Sequence, residues 1–397
     1  MTATLAAPTT TVTSLAFTAT RPELVAALTT VGVAIGKRPA VPVLGGALFS
    51  VTDGDLTISG FDYETSARVV LRDVGHADGT LLLSHAQVTG LVAAVAKGEK
   101  KADADRLRFT MTGTPAGAIL TVGGYALPLE PLDLADYPML PVGTDARQEM
   151  VVDRAAFTAL ATRVGAAAAR DDTVPSLTGV QVEVAEGRLT MATTDRFRLA
   201  VGSVDTSAVD AFTASVLVPA KMLGAVLKRL VGDHLVIGFD SGMVTFACGD
   251  VTFTTRAMDG DFPKFRQLRP APADVTTTVT VNRANLAKAV TKAECLADAV
   301  ESHRGASVHL RVTPEGVHAV PPVTGAVAPL IPCGVVGDDL TIGFNPGFLL
   351  DLLGTFATDD VVLRFTRSTR PMVVTEPGVD ADGDVFWHLL MPVRIPS

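Results

Sequence analysis

Apolar and polar positions alternate over much of the chain. RLRFTMTG (106–113), HLVIGFD (234–240) and DVVLRFTR (360–367) place an apolar side chain at nearly every second residue. That is the period of a strand with one buried face, so half-buried antiparallel sheets are predicted. A longer period interrupts these runs. Val88, Leu91, Val92 and Val95 follow helical spacing, as do Leu223, Val226, Leu227 and Leu230, and Leu349, Leu352 and Leu353. Each of these three helices follows a short apolar strand, in LLLSHAQVTGLVAAV (81–95), VLVPAKMLGAVLKRL (216–230) and IGFNPGFLLDLL (342–353). Each opens on Ser, Pro or Asn-Pro, which cap or start helices. Three more helices are read in RPELVAALTTVGVAIG (21–36), RAAFTALATRVGAAAA (154–169) and RANLAKAVTKAECLADAV (283–300).

The pattern repeats. LTISGFDYETSARVV (56–70) and RLTMATTDRFRLAV (188–201) share Leu-Thr, an Asp (Asp62, Asp195) and an Ala (Ala67, Ala200) at a constant offset of 133. The same offset relates Val41-Pro42 to Val174-Pro175, Leu44 to Leu177, Gly46 to Gly179 and Gly54 to Gly187. A fixed period over such a stretch marks an internal repeat. Two of the strand–helix units end alike, at Asp136-Tyr137-Pro138 and Asp261-Phe262-Pro263. The chain therefore reads as three copies of an α+β domain with two helices and two small sheets, the helices expected on one side of the sheets. The boundaries are 1–142, 143–272 and 273–397, with a Thr/Ala tail over 1–13.

Composition narrows the function. Hydrophobic residues make up 48% and charged ones 19%, which describes a globular chain. No apolar run approaches the roughly 20 residues of a membrane span, and no signal peptide is read at the N-terminus. The three scattered cysteines form neither a disulfide framework nor a zinc pattern and fit a reducing cytoplasm. No cofactor is expected. The seven histidines lack metal spacing, and no nucleophile elbow, phosphate loop or dinucleotide fingerprint occurs. Ser84-His85 reads as a helix cap, and Asp62 and Asp195 read as turn residues. Catalysis is not expected.

The net charge of −9 argues against a generic nucleic-acid binder, but its placement matters. Lysines and arginines gather on the helices and their flanks, among them Arg38, Lys97, Arg163, Lys221, Lys228 and Lys288, while many acids fall in strands and loops. Such segregation suggests basic helices facing a polyanion.

RPAVPVLGGALFSV (38–51), LTISGFDYETSARV (56–69), MATTDRFRLAV (191–201), DGDFPKF (259–265), IGFNPGFLLDLL (342–353) and LLMPVRI (389–395) resemble, in order, segments of the bacterial DNA polymerase III β subunits, the sliding clamps. FDYETSARV and ATTDRFR look like the actinobacterial branch of that family. The resemblance runs from about Leu15 to Arg394. It implies three tandem clamp domains and a head-to-tail ring dimer around duplex DNA, bound without sequence preference. It implies no enzyme activity. Partners would be the polymerase α subunit, other polymerases and a clamp loader.

The resemblance also implies a pocket for a linear peptide rich in Gln, Leu and Phe. The matching positions are Leu177, Thr194, Arg196, Phe197, Arg198, Leu199, Pro263, Leu268, Pro371, Leu389, Met391, Pro392, Val393 and Arg394. On this reading Leu177 and Met391 share an apolar floor, and Arg198 donates to a peptide carbonyl. The DNA-facing positions would be Arg38, Lys97, Arg163, Lys221, Lys228 and Lys288, and the dimer edge Cys295 and Leu296. This chain departs from many relatives in having Arg196-Phe197 for Gly-His, Gln267 where some have Arg, and Pro175-Ser176 where some have aromatics. An alternative within the family is an extra clamp copy with an altered pocket that evades an inhibitor or serves a special polymerase.

Overall fold

The computed structural model describes residues 14–36, 39, 41–141, 148–208, 212–240, 242–300, 307–323, 325–379 and 385–395. The expected tail over 1–13 and Arg38 lie outside the described residues. The chain divides into two compact units. One holds the described residues up to Glu149 together with Ala225–Arg256, and the other holds Met150–Gly224 and those from Ala257 onward. The division cuts through the second repeat, and the sheets explain why.

In the first unit, the strands Gly79–Ser84, Gly46–Thr52, Asp55–Phe61 and Thr65–Leu71 of the first repeat form one sheet. It continues into Val251–Arg256, Met243–Cys248 and His234–Asp240 of the second. The joint is antiparallel, with Ser66 opposite Thr254 and Ala67 opposite Phe253. A five-stranded sheet completes this unit, in the order Gly75–Ala77, Leu15–Thr20, Arg108–Thr114, Gly117–Val122, Tyr125–Leu129. The second unit repeats the device. In its nine-stranded sheet Ala214–Pro219, Gly179–Ala185, Arg188–Thr194 and Arg198–Asp205 continue into Phe386–Leu390, Met372–Thr375, Asp360–Phe365, Thr277–Asn282 and Gly334–Gly337. Here Leu199 stands opposite Leu389 and Ala200 opposite His388. A four-stranded sheet runs Leu330–Pro332, Gly316–Val320, Val308–Thr313, Leu340–Phe344. The sheets are thus shared across repeat borders, where two small sheets per copy were expected.

Seven helices are described: α1 (Arg21–Val31), α2 (His85–Ala94), α3 (Lys101–Ala104), α4 (Arg154–Gly165), α5 (Ala220–Leu227), α6 (Arg283–Val300) and α7 (Pro346–Gly354). In the first unit α1 packs on Thr65–Leu71, on Asp55–Phe61 and on α2. In the second α4 packs on Arg198–Asp205, α6 on α7, and α7 on Phe386–Leu390. Ser84 accepts the Gln87 N–H at the start of α2, and the His85 ring nitrogen meets the Leu28 carbonyl, so this pair caps helices. Two helices end earlier than their periodicity suggests. After α1 the chain tightens into a 3₁₀ turn at Gly32–Ala34 and lays Ile35 on Gly60, where any added Cβ would stand 2.6 Å from Ile35 Cγ1. After α4 the Ala169 N–H bonds the Leu177 carbonyl and draws the chain off the helix axis. No described helix is long and apolar enough to cross a membrane.

Burial follows the alternation at a sheet margin and abandons it at a sheet centre. Leu15–Thr20 alternates buried and half-buried residues, whereas all of Phe386–Leu390 is buried. The latter strand carries the largest fully buried side chain, Trp387.

Candidate functional site

The repeated sequence builds a repeated turn. Asp53-Gly54 and Glu186-Gly187 have positive φ at both positions, the backbone that a tight two-residue hairpin demands. Further on, Asp62 accepts the N–H groups of Glu64 and Thr65, and Asp195 accepts those of Phe197 and Arg198. Between them Tyr63 and Arg196 sit at φ 75° and 78°. The two aspartates thus hold turns, as their positions suggested.

What the turn presents differs between the copies. In the second unit it borders a groove of about 910 Å³. Leu199 and Leu389, paired across the joint, form its floor with Leu268 and Met391 beside them. Ala192, Phe265 and Trp387 back that floor from within the core. At the matching joint of the first unit, Ser66 and Thr254 replace the leucines, and a groove of about 720 Å³ there is lined by Ser50, Ser59 and Thr245 as well. Leu48, Val70, Leu140 and Pro141 also line that groove, so the two joints differ in the paired residues at their centre, hydroxyls in the first and leucines in the second.

Arg198 ties the wall of the groove to its frame. Its Nε donates to Asp195 and its Nη1 to Asp351 of α7, each at 2.9 Å, and its side chain is 2% exposed. The guanidinium lies 4.7 Å from the Phe348 ring centroid, and Phe197 stacks on the same ring at 5.9 Å. Asn345 fixes Phe348 by accepting its N–H, with Pro346 in the first turn of α7. These bonds occupy two of the five N–H donors of the guanidinium. Arg198 thus holds the turn and α7 together while it lines the groove.

Other expected pocket residues divide. Thr194, Arg196, Arg198, Leu199, Leu268, Pro371, Leu389 and Met391 line the groove. Leu177 and Phe197 line an adjoining cavity of about 210 Å³ with Arg170, Asp171, Phe348 and Asp351. Leu177 lines this cavity and Met391 the groove, and Arg196 and Arg198 line both. Pro263, Pro392, Val393 and Arg394 line neither. The Met391 N–H bonds the Phe197 carbonyl, and the chain then turns so that the Val393 N–H bonds Gly343. Pro263 is exposed, while its neighbour Phe262 packs on the core behind the floor. Sequence reasoning missed Phe348, Asp351, Arg367 and Arg370. The NPGF start of α7 was visible as a motif, but only the fold brings it to the turn.

The basic residues separate by type. Lys97, Lys221, Lys228 and Lys288 are exposed, and none forms an ion pair among the described residues. The helix arginines are engaged. Arg21 pairs with Asp105, and Arg229 donates to the Thr29 and Ala225 carbonyls. Arg163 corrects the expectation that it faces DNA. Its Nη2 donates to Glu376 at 2.6 Å and its guanidinium lies 3.7 Å from the Phe386 ring centroid, so it is a half-buried cation already held by two partners. A planar guanidinium suits such fixed partners, and a flexible ammonium suits mobile contacts. Cys295 is exposed on α6, and Leu296 beside it is 55% exposed.

His388 lies fully buried on Phe386–Leu390. Burial first, then the Arg198 and Arg163 charges, lowers its pKa to about 3. It is neutral at physiological pH and has no hydrogen-bond partner among the described residues. Among the described residues no three His, Cys, Asp or Glu side chains group to hold a metal.

Residues 15–141, 151–264 and 269–394 match, in order, the N-terminal, central and C-terminal domains of the DNA polymerase III beta subunit. The beta sliding clamp of Streptomyces coelicolor is 32% identical over 378 residues, covering 90% of this chain and 93% of that protein. The chain belongs to the DNA polymerase III beta subunit family. Members are sliding clamps, which are processivity factors and not catalysts. A beta sliding clamp homolog named GriR, from Streptomyces muensis, is 27% identical over 91% of this chain and 94% of its own length. The crystal structure of the Bacillus subtilis sliding clamp shares the fold, with a TM-score of 0.83 at 23% identity over 96% of this chain and 99% of that one.

Proposed function

We propose that two copies of this chain close head to tail into a ring around duplex DNA. The ring would hold the DNA polymerase III α subunit and other clamp-binding proteins to the template through the apolar groove. The observation that carries the ring is a leftover pair of sheet edges. Within the chain, Thr65–Leu71 pairs with Val251–Arg256, and Arg198–Asp205 with Phe386–Leu390. By the order of the repeat, the third such pair is Leu330–Pro332 and Tyr125–Leu129. Each has one strand neighbour among the described residues. An open edge invites another strand, and a second copy supplies it twice by symmetry. Cys295 and Leu296 would lie along this interface. Exposed lysines without ion pairs favour phosphate contacts that are weak and uniform along the duplex, which suits sliding. Such a ring would be loaded by a clamp loader and work in the cytoplasm.

Retention on DNA tests the closure. Protein loaded on a nicked circular plasmid is expected to stay through gel filtration at moderate salt and to leave once the plasmid is cut. Equal retention on circular and linear DNA would show ordinary binding instead of encirclement.

The replacement of Gly-His by Arg196-Phe197 favours a second reading within the family, an additional clamp whose pocket has changed. A second clamp gene in the same genome would support it.

A further inference from the structure

The groove is apolar at its floor and basic at its rim. Five arginines line it, and Asp274 is the one acid among the described lining residues. Two of the arginines are committed, since Arg198 binds Asp195 and Asp351 and Arg269 lies 4.9 Å from the Trp387 ring centroid. Arg196, Arg367 and Arg370 are exposed, and none of the three has an ion pair or side-chain hydrogen bond among the described residues. On a chain with net charge −9, Arg367 and Arg370, with Arg196 whose charge is shared with nearby Asp171, give the groove rim a local field of opposite sign.

Arg196 adds a second observation. It holds φ 78°, a left-handed backbone that L side chains rarely adopt and glycine takes freely. A glycine there would relax the turn, and the chain instead places a charged side chain at the border of the groove and the smaller cavity beside it.

We propose that the groove selects linear peptides whose apolar anchors are flanked by acidic residues. The inference rests on the reading of the groove as a peptide seat. The anchors fill the floor at Leu199, Leu389 and Met391, while flanking Asp or Glu side chains meet Arg196, Arg367 and Arg370. Guanidiniums pair with carboxylates in fixed two-pronged geometry, which makes them discriminating partners for such flanks. Single-stranded nucleic acid would also answer the charge, but it makes no use of an aliphatic floor.

Three fluorescent decapeptides with one Gln-, Leu- and Phe-containing core separate the possibilities. One carries Asp and Glu flanks, one Ser and Gly, and one Lys. Acidic flanks are expected to bind about tenfold tighter than basic ones at low salt, with the gap closing as salt rises. The Arg196→Gly, Arg367→Ala, Arg370→Ala triple variant is expected to erase the gap between acidic and basic flanks. Its folding is checked by its melting temperature, and Arg196→Gly alone, which should not strain the backbone, is expected to narrow the gap. Equal, salt-independent affinity for all three peptides would overturn the acidic preference and leave the peptide seat standing. No binding of any peptide would overturn both. Displacement of the acidic peptide by a single-stranded oligonucleotide at similar concentration would assign the rim to nucleic acid and overturn the proposal.

Discussion

Arg198 donates to Asp351 at 2.9 Å from a position 153 residues away in the sequence. That bond fastens α7 to the turn that follows Arg188–Thr194, and with it the Phe348 ring to the wall of the groove. Removing Arg198 would leave Asp195 without its cation and Asp351 with only exposed Arg170 at 3.6 Å. Arg198→Ala is therefore expected to cost about 2–4 kcal/mol of stability, less than a fully buried pair because Asp351 is partly exposed. Peptide affinity should fall with it, while Asp351→Asn should lower stability less. Urea unfolding of the three proteins checks this. An Arg198→Ala variant as stable as wild type would show that the network is ornamental.

Met391 and Leu177 should behave oppositely. Met391 is 41% exposed and lines the groove, so Met391→Ala should lose about 1–2 kcal/mol of peptide affinity and little stability. Leu177 is buried beside the other cavity, so Leu177→Ala should cost about 2–3 kcal/mol of stability and change peptide affinity much less. Peptide titration and denaturant midpoints of both variants check the pair. The reverse pattern would return Leu177 to the peptide floor.

His388 should make the fold acid-sensitive. Its folded pKa of about 3 lies below the ordinary value of 6.5. Between those values the unfolded chain binds a proton that the folded chain does not, so stability falls as pH drops. The contribution is complete above about pH 6.5 and is lost progressively down to about pH 3. The slope approaches about 1.4 kcal/mol per pH unit, or roughly 2 kcal/mol between pH 7 and 5. His388→Leu should flatten this part of the profile. Urea midpoints of both proteins from pH 5 to 8 decide it, and parallel profiles would count against a neutral buried imidazole.

The lysines and Arg163 should separate DNA retention from folding. Replacing Lys97, Lys221, Lys228 and Lys288 with Glu should leave the melting temperature nearly unchanged. Retention on DNA should weaken and lose much of its salt dependence, because fewer counterions are released. Arg163→Glu should instead destabilise the fold through repulsion from Glu376 and loss of the Phe386 contact. Salt-dependent retention and thermal melts distinguish the two classes. Unaltered retention in the lysine variant would remove these residues from the DNA-facing surface.

The sequence by itself determined the local features. The helix starts at Ser84 and Asn345, the hairpins at Asp53-Gly54 and Glu186-Gly187, and the turn aspartates all depend on partners within about four residues, whose chemistry the chain spells out directly. The constant offset also made the repeat legible, and the family motifs named the leucines of the floor. What only the tertiary structure decided is which distant groups meet. Strand periodicity gives the buried face of a strand but not the partner at its edge, so the sharing of sheets across repeats was invisible. The same holds for charges. Arg163 looks like any helix cation until its partner Glu376 arrives from 213 residues away. Arg198 shows no partner beyond its own turn in the sequence, and the fold brings Asp351 of α7 to it. Ser66 and Leu199 occupy matching places, and the residue opposite each, Thr254 or Leu389, puts a pair of hydroxyls at one joint and a pair of leucines at the other.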